Sequence, residues 1–120
     1  MRVGEDNARC LFQPVVYILA SGFRGTLYVG ATSNLLQRLY QHREGLIPGF
    51  TRRYGVRRLV WYEMHDTMPA AGERERQLKE WRRAWKIEMI ERDNLQWNDL
   101  ALGLGFPSIE PQPGSRLSSG

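Results

Sequence analysis

Residues 15–42 read VVYILASGFRGTLYVGATSNLLQRLYQH, and the reading of this stretch decides the fold. Val15, Tyr17 and Leu19 alternate with Val16 and Ile18, and Leu27, Tyr28 and Val29 follow after a gap. β-branched and aromatic residues dominate both runs, which predicts two strands. Between them lies Ser21-Gly22-Phe23-Arg24-Gly25. A two-residue turn at Gly22-Phe23, of the type with glycine first, pairs Tyr17 with Tyr28. Directly opposed residues project from one face, so two phenols are expected side by side. A one-residue slip would separate them.

A helix follows. Thr32, Ser33 and Asn34 are its N-cap candidates, and Leu35, Leu36, Leu39 and Tyr40 supply its apolar stripe. Arg38 and His42 stand four residues apart and so share a face. A short hairpin leading into a helix folds that helix back across the sheet. The expected result is a patch with two hydroxyls, a guanidinium and an imidazole.

Val15-Val16-Tyr17, Tyr28-Val29-Gly30, Arg38 and His42, in that order, resemble the GIY-YIG nuclease family, in particular its small single-domain bacterial members. Those members are similar to the amino-terminal domain of the excinuclease C subunit. Val15 and Val16 stand where the family name has Gly and Ile, a change that keeps the tyrosine and a strand-forming backbone. The resemblance continues through GFTRRYG (49–55), ERERQLKEWRRAWKIEMIE (73–91) and NLQWNDL (94–100). It implies an α/β (α+β) domain, a small, mainly antiparallel three-stranded sheet flanked by helices. It also implies a metal-dependent endonuclease acting on DNA.

Composition sets the bounds. The chain has 120 residues, 42% hydrophobic and 25% charged, an ordinary balance for one soluble globular domain. No run approaches the ~18 apolar residues of a membrane span, and residues 1–14 lack the apolar run of a signal peptide. Cys10 is the only cysteine, so no internal disulfide forms and a cytoplasmic home is expected. Seventeen basic residues against thirteen acidic give +4, and fifteen of the seventeen are arginine. Arginine makes bidentate contacts to phosphate, which leans towards nucleic acid. Arginine-favouring codons of a G+C-rich genome account for the excess equally well.

Along the rest of the chain, residues 1–13 read as a flexible lead-in, 14–103 as the nuclease-like domain and 104–120 as a disordered tail rich in Pro, Gly and Ser. Gly45 suits the end of the first helix. Leu59, Val60, Trp61 and Tyr62 predict a third strand. Asp66 or Thr67 can cap a second helix with Pro69 in its first turn. The helical pattern over 70–91 carries two apolar stripes that do not superpose, which predicts a break near 82–85. Trp61, Trp81, Trp85 and Trp97 are expected in the core.

Phosphodiester hydrolysis needs a group to activate water, positive charge at the phosphate and usually a metal ion. Tyr17 and Tyr28 can orient or deprotonate the water, although a phenol of pKa ~10 is a poor base without a nearby cation. Arg38 suits the scissile phosphate, and His42, titrating near neutrality, suits proton transfer or phosphate binding. Sequence alone does not choose among Glu73, Glu75 and Glu80 as a metal ligand, since each can pair with a basic residue one turn away. The resemblance selects Glu75, for a single Mg²⁺ or Mn²⁺, and matches Asn94 to the family's late asparagine, which helps hold the active site. Arg52, Arg53, Arg57 and Arg58 around Tyr54 form a basic loop suited to phosphate contacts and base stacking, and Lys86, with Arg82 and Arg83, extends the charge. His65 reads as a surface residue.

The expected function is cleavage of DNA, structure-selective and serving repair or recombination. Larger relatives carry separate DNA-binding domains, so a homodimer or a repair-protein partner is expected to help. The alternative is a non-catalytic nucleic-acid-binding module of the same fold. A basic RNA-associated protein is a third reading that rests on charge alone.

Overall fold

Helices on both faces bury every residue of β1 (Val15–Ala20), which explains a near-continuous apolar run where a half-exposed strand would alternate. The computed structural model describes residues 13–108. The expectations for Cys10, the lead-in and the end of the tail therefore lie outside the described residues. β1 is the middle strand, in the order β2-β1-β3, with β2 (Leu27–Thr32) and β3 (Arg58–Met64) both antiparallel to it. The fold is the expected α+β arrangement.

One face of β1 presents Val15, Tyr17 and Leu19, which pack against Leu35 and Leu39 of α1 (Leu35–Arg43) and against Val56, Leu59 and Ala101. The other presents Val16, Ile18 and Ala20. These meet Ala71 and Leu78 of α3 (Met68–Glu80), Met89 and Ile90 of α4 (Arg83–Asp93), and Trp97. Between α1 and β3 lies a four-residue helix, α2 (Phe50–Arg53), too short to show an apolar period in sequence.

The hairpin register differs from expectation. Gly25 N–H donates to Gly22 O and Ser21 N–H to Thr26 O, both at 3.0 Å, so Phe23 and Arg24 occupy the turn corners. Tyr17 consequently pairs with Gly30, and Tyr28 with Leu19. The two-residue shift preserves the face. The tyrosines remain diagonal neighbours, with ring centroids 6.3 Å apart. The turn is fixed from outside the hairpin. Arg24, at φ 51°, is held by two bonds to Glu91, at 2.7 and 2.8 Å, and Arg83 donates to Gly25 O at 2.9 Å. Those partners come from α4, some sixty residues on.

Of the three N-cap candidates, Asn34 serves: its side chain accepts from Gln37 N–H at 3.1 Å. α1 ends in a left-handed Gly45, with Gly45 N–H bonded to His42 O and Leu46 N–H to Gln41 O. Thr67 caps α3 by accepting from Ala70 N–H at 3.2 Å. The break between α3 and α4 falls at Trp81 and Arg82, whose backbones are extended. It leaves Trp85 49% exposed, so this tryptophan is not a core residue, whereas Trp61 and Trp97 are.

A 3₁₀ turn (Leu100–Leu104) closes the Tyr17 face. Arg43 is buried there, bonded to Asp99 at 2.9 Å and to Pro107 O, with its guanidinium over Phe106. Leu104 and Phe106 pack on the core, so packing continues past the boundary expected at 103. Among the described residues no helix is long and apolar enough to cross a membrane.

Candidate active site

The Tyr17 side chain, fully buried, ends in a hydroxyl 3.1 Å from Nε2 of His42. The opposite ring nitrogen, Nδ1, lies 3.1 Å from the Thr51 hydroxyl. His42 sits on the buried stripe of α1 with Leu35 and Leu39, and α2 supplies Thr51. Burial, and then the charge of Arg38, pushes the imidazole down to about 4. It is therefore neutral at pH 7, accepting at one nitrogen and donating at the other. The two hydroxyls and the ring form a hydrogen-bonded chain beneath the surface.

A second layer lies outside it. Tyr28, Arg38 and Glu75 are all half-buried. Tyr28 has its ring centroid 5.5 Å from that of His42. Burial chiefly raises the pKa of the Tyr17 phenol, with Tyr28 and Glu75 adding to the rise, while Arg38 opposes it by charge and hydrogen bonding. Residues from β1, β2 and α1 thus meet at one phenol, while Glu75, on the helix packed against the other sheet face, acts on it only through its charge.

Local structure separates the three glutamates. Glu75 lies between Ala71 and Leu78 on the sheet-facing stripe of α3 and pairs with Lys79 at 2.8 Å. Glu73 is exposed and pairs with Arg76, and Glu80 is exposed as well. Among the described residues no three His, Cys, Asp or Glu side chains gather as a metal cluster.

The family model for the GIY-YIG catalytic domain matches residues 13–88, more than half of the chain. The chain belongs to the GIY-YIG family. It is also similar to a UPF0213 protein of Syntrophus aciditrophicus, 35% identical over 79 residues that cover 65% of this chain and 90% of the relative. A UPF0213 protein of Clostridium perfringens is 31% identical over 71 residues, covering 59% and 76%. No solved structure matches significantly. The GIY-YIG domain marks the chain as nuclease-type, while the relatives' shared name states no activity.

The other residues expected at the site divide. Asn94 caps α4, and its amide donates to Val60 O at 3.1 Å and Asn98 O at 3.0 Å while accepting from Asn98 N–H at 2.9 Å. Val60 is the extra residue where β3 bulges, since Ile18 pairs with Trp61 and Leu19 with Leu59. A bulged residue is left out of the ladder, and Asn94 satisfies its carbonyl. Its contacts are with backbone, not with the tyrosine cluster.

Arg52, Arg53 and Tyr54 lie together and exposed at α2, and Arg57 follows with a bond to Arg43 O. Arg58 belongs to β3, opposite Ala20, and donates to Trp97 O. Lys86 rides on α4, which packs against the other sheet face. These two do not join the loop. His65 pairs with Glu63 at 2.9 Å. Thr51 and Phe50 escape a sequence reading. Thr51 reveals itself only as the hydrogen-bond partner of His42, and Phe50 only by stacking near Tyr28.

Proposed function

We propose that this domain is a divalent-metal-dependent endonuclease that hydrolyses DNA phosphodiester bonds. The observation that supports the reading is the cluster of Tyr17, Tyr28 and His42 in a GIY-YIG domain. Arg38 binds the scissile phosphate and offsets its growing negative charge. Tyr28, the partly exposed phenol, orients the attacking water. Tyr17 and His42 stand behind it as positioning residues. Their 3.1 Å hydrogen bond fixes the phenol beneath the site.

Glu75 holds one Mg²⁺ or Mn²⁺. A lone carboxylate fits such an ion, because Mg²⁺ typically takes one or two carboxylates and fills its shell with water and substrate phosphate. When bound, the ion supplies positive charge at the phosphate. Asn94 supports the site through the β3 bulge, and Arg52 and Arg53 take neighbouring phosphates.

The test is cleavage of labelled duplex, single-stranded, flap and branched DNA with Mg²⁺, Mn²⁺ or chelator. Wild type is expected to cut only with metal. Arg38→Ala and Tyr28→Phe are expected to bind DNA but cut at least ~100-fold more slowly. Binding with no metal-dependent cutting on any substrate would leave the non-catalytic module standing instead.

A further inference from the structure

Four aromatic rings run from the buried site to the surface. Tyr17 is fully buried and meets Tyr28 at 6.3 Å. Tyr28 faces Phe50 at 6.4 Å with ring planes only 27° apart, and Phe50 meets Tyr54 at 4.9 Å. The last two, in α2 and at its end, are 46% and 50% exposed. They line a recess of about 570 Å³ with Pro48, Gly49, Arg52 and Arg53, within the size range of small-ligand sites. Arg53 lies over the Tyr54 ring at 5.5 Å. Neither Arg52 nor Arg53 has an ion-pair partner among the described residues.

Exposed aromatic faces beside unpaired arginines are the features that hold single-stranded nucleic acid: rings stack bases and guanidiniums follow the backbone. Paired bases in a duplex already stack on one another, so this surface gains nothing from them. We infer that Phe50 and Tyr54 form a stacking platform for an unpaired nucleobase next to the cleavage site, so that the preferred substrate is DNA with a single-stranded arm at the scissile bond. This deepens the nuclease reading and rests on it for the identity of the nucleic acid. Within the ladder, Phe50 adjoins Tyr28, the phenol that orients the water in that reading. A base held on Phe50 therefore keeps its strand against the site. Arg52 and Arg53 meet the flanking phosphates.

The test separates binding from chemistry by working in chelator. A duplex bearing a short unpaired arm, with 2-aminopurine in the arm, is titrated with wild type, with Phe50→Leu/Tyr54→Leu and with Trp85→Leu. Trp85 is an equally exposed aromatic residue on α4 and serves as the control. Wild type and Trp85→Leu should change the probe's fluorescence and bind the armed DNA more tightly than matched duplex, by roughly 10-fold or more. The double variant, verified as folded by circular dichroism, should lose both the spectral change and the preference. Equal preference in wild type and the double variant, or an unchanged probe in all proteins, overturns the platform. Cleavage by the same proteins in Mg²⁺ is scored separately, so failure of the nuclease reading leaves a different signature.

Discussion

The ring of Tyr17 lies across the backbone of Gly30, its strand partner in β2. A Cβ added at Gly30 would come within 2.6 Å of the Tyr17 hydroxyl and 2.7 Å of the ring carbon that bears it. The glycine of the Tyr28-Val29-Gly30 run is therefore the space into which the buried phenol fits. It explains why tyrosine and glycine occur together in this pair of strands.

Gly30→Ala should consequently displace the phenol and lengthen its bond to His42. Such overpacking is expected to destabilise the domain by about 1–3 kcal/mol. Urea denaturation provides the check, with a lowered midpoint at unchanged slope. A variant as stable as wild type would mean that Tyr17 has another place to go.

His42 links stability to acid. Its imidazole stays neutral in the fold down to about pH 4, whereas the unfolded chain takes up the proton near the ordinary 6.5. Between these values the unfolded state binds more protons, so stability falls as pH drops through that window and is untouched by His42 above it. The full shift corresponds to roughly 3 kcal/mol at most. Replacing the residue, as in His42→Asn, loses hydrogen bonds but also removes this acid sensitivity. The stability gap between wild type and variant should narrow from pH 7 to pH 4. Parallel stability curves would contradict the assignment.

Asn94 acts on the fold before it acts on chemistry. Its buried amide makes three bonds to backbone, one of them to the carbonyl at the β3 bulge. Asn94→Ala strands those groups and should destabilise by about 1–3 kcal/mol. Asn94→Asp keeps the acceptor for Asn98 N–H but loses both donated bonds, and should also destabilise. Thermal unfolding reads this directly. A full loss of cleavage with no loss of stability would give Asn94 a direct catalytic role instead.

Much of this molecule is legible in its sequence because the signals are local. The apolar run of β1, the Asn34 and Thr67 caps and the Gly45 stop need no distant residue to be read. The site residues converge because strand parity and helix period place Tyr17, Tyr28, Arg38 and His42 on one face of the sheet. What escapes the sequence is decided at long range. The turn sits at Phe23-Arg24 because Glu91 and Arg83 reach it from α4. The bulge at Val60 is matched by an asparagine 34 residues away. The two tyrosines look equivalent in sequence, yet one is sealed beneath α1 and the other is half-open. Only packing distinguishes them.

In the nuclease reading, Glu75 makes this surface a metal-dependent catalyst. The direct measurement is single-turnover cleavage of an armed duplex across a Mn²⁺ titration, comparing wild type with Glu75→Ala, with DNA affinity in chelator measured alongside. Wild type should cut only with metal, and the variant should lose cutting by at least ~1000-fold at similar affinity and stability. Equal cutting by Glu75→Ala at every Mn²⁺ concentration would contradict it.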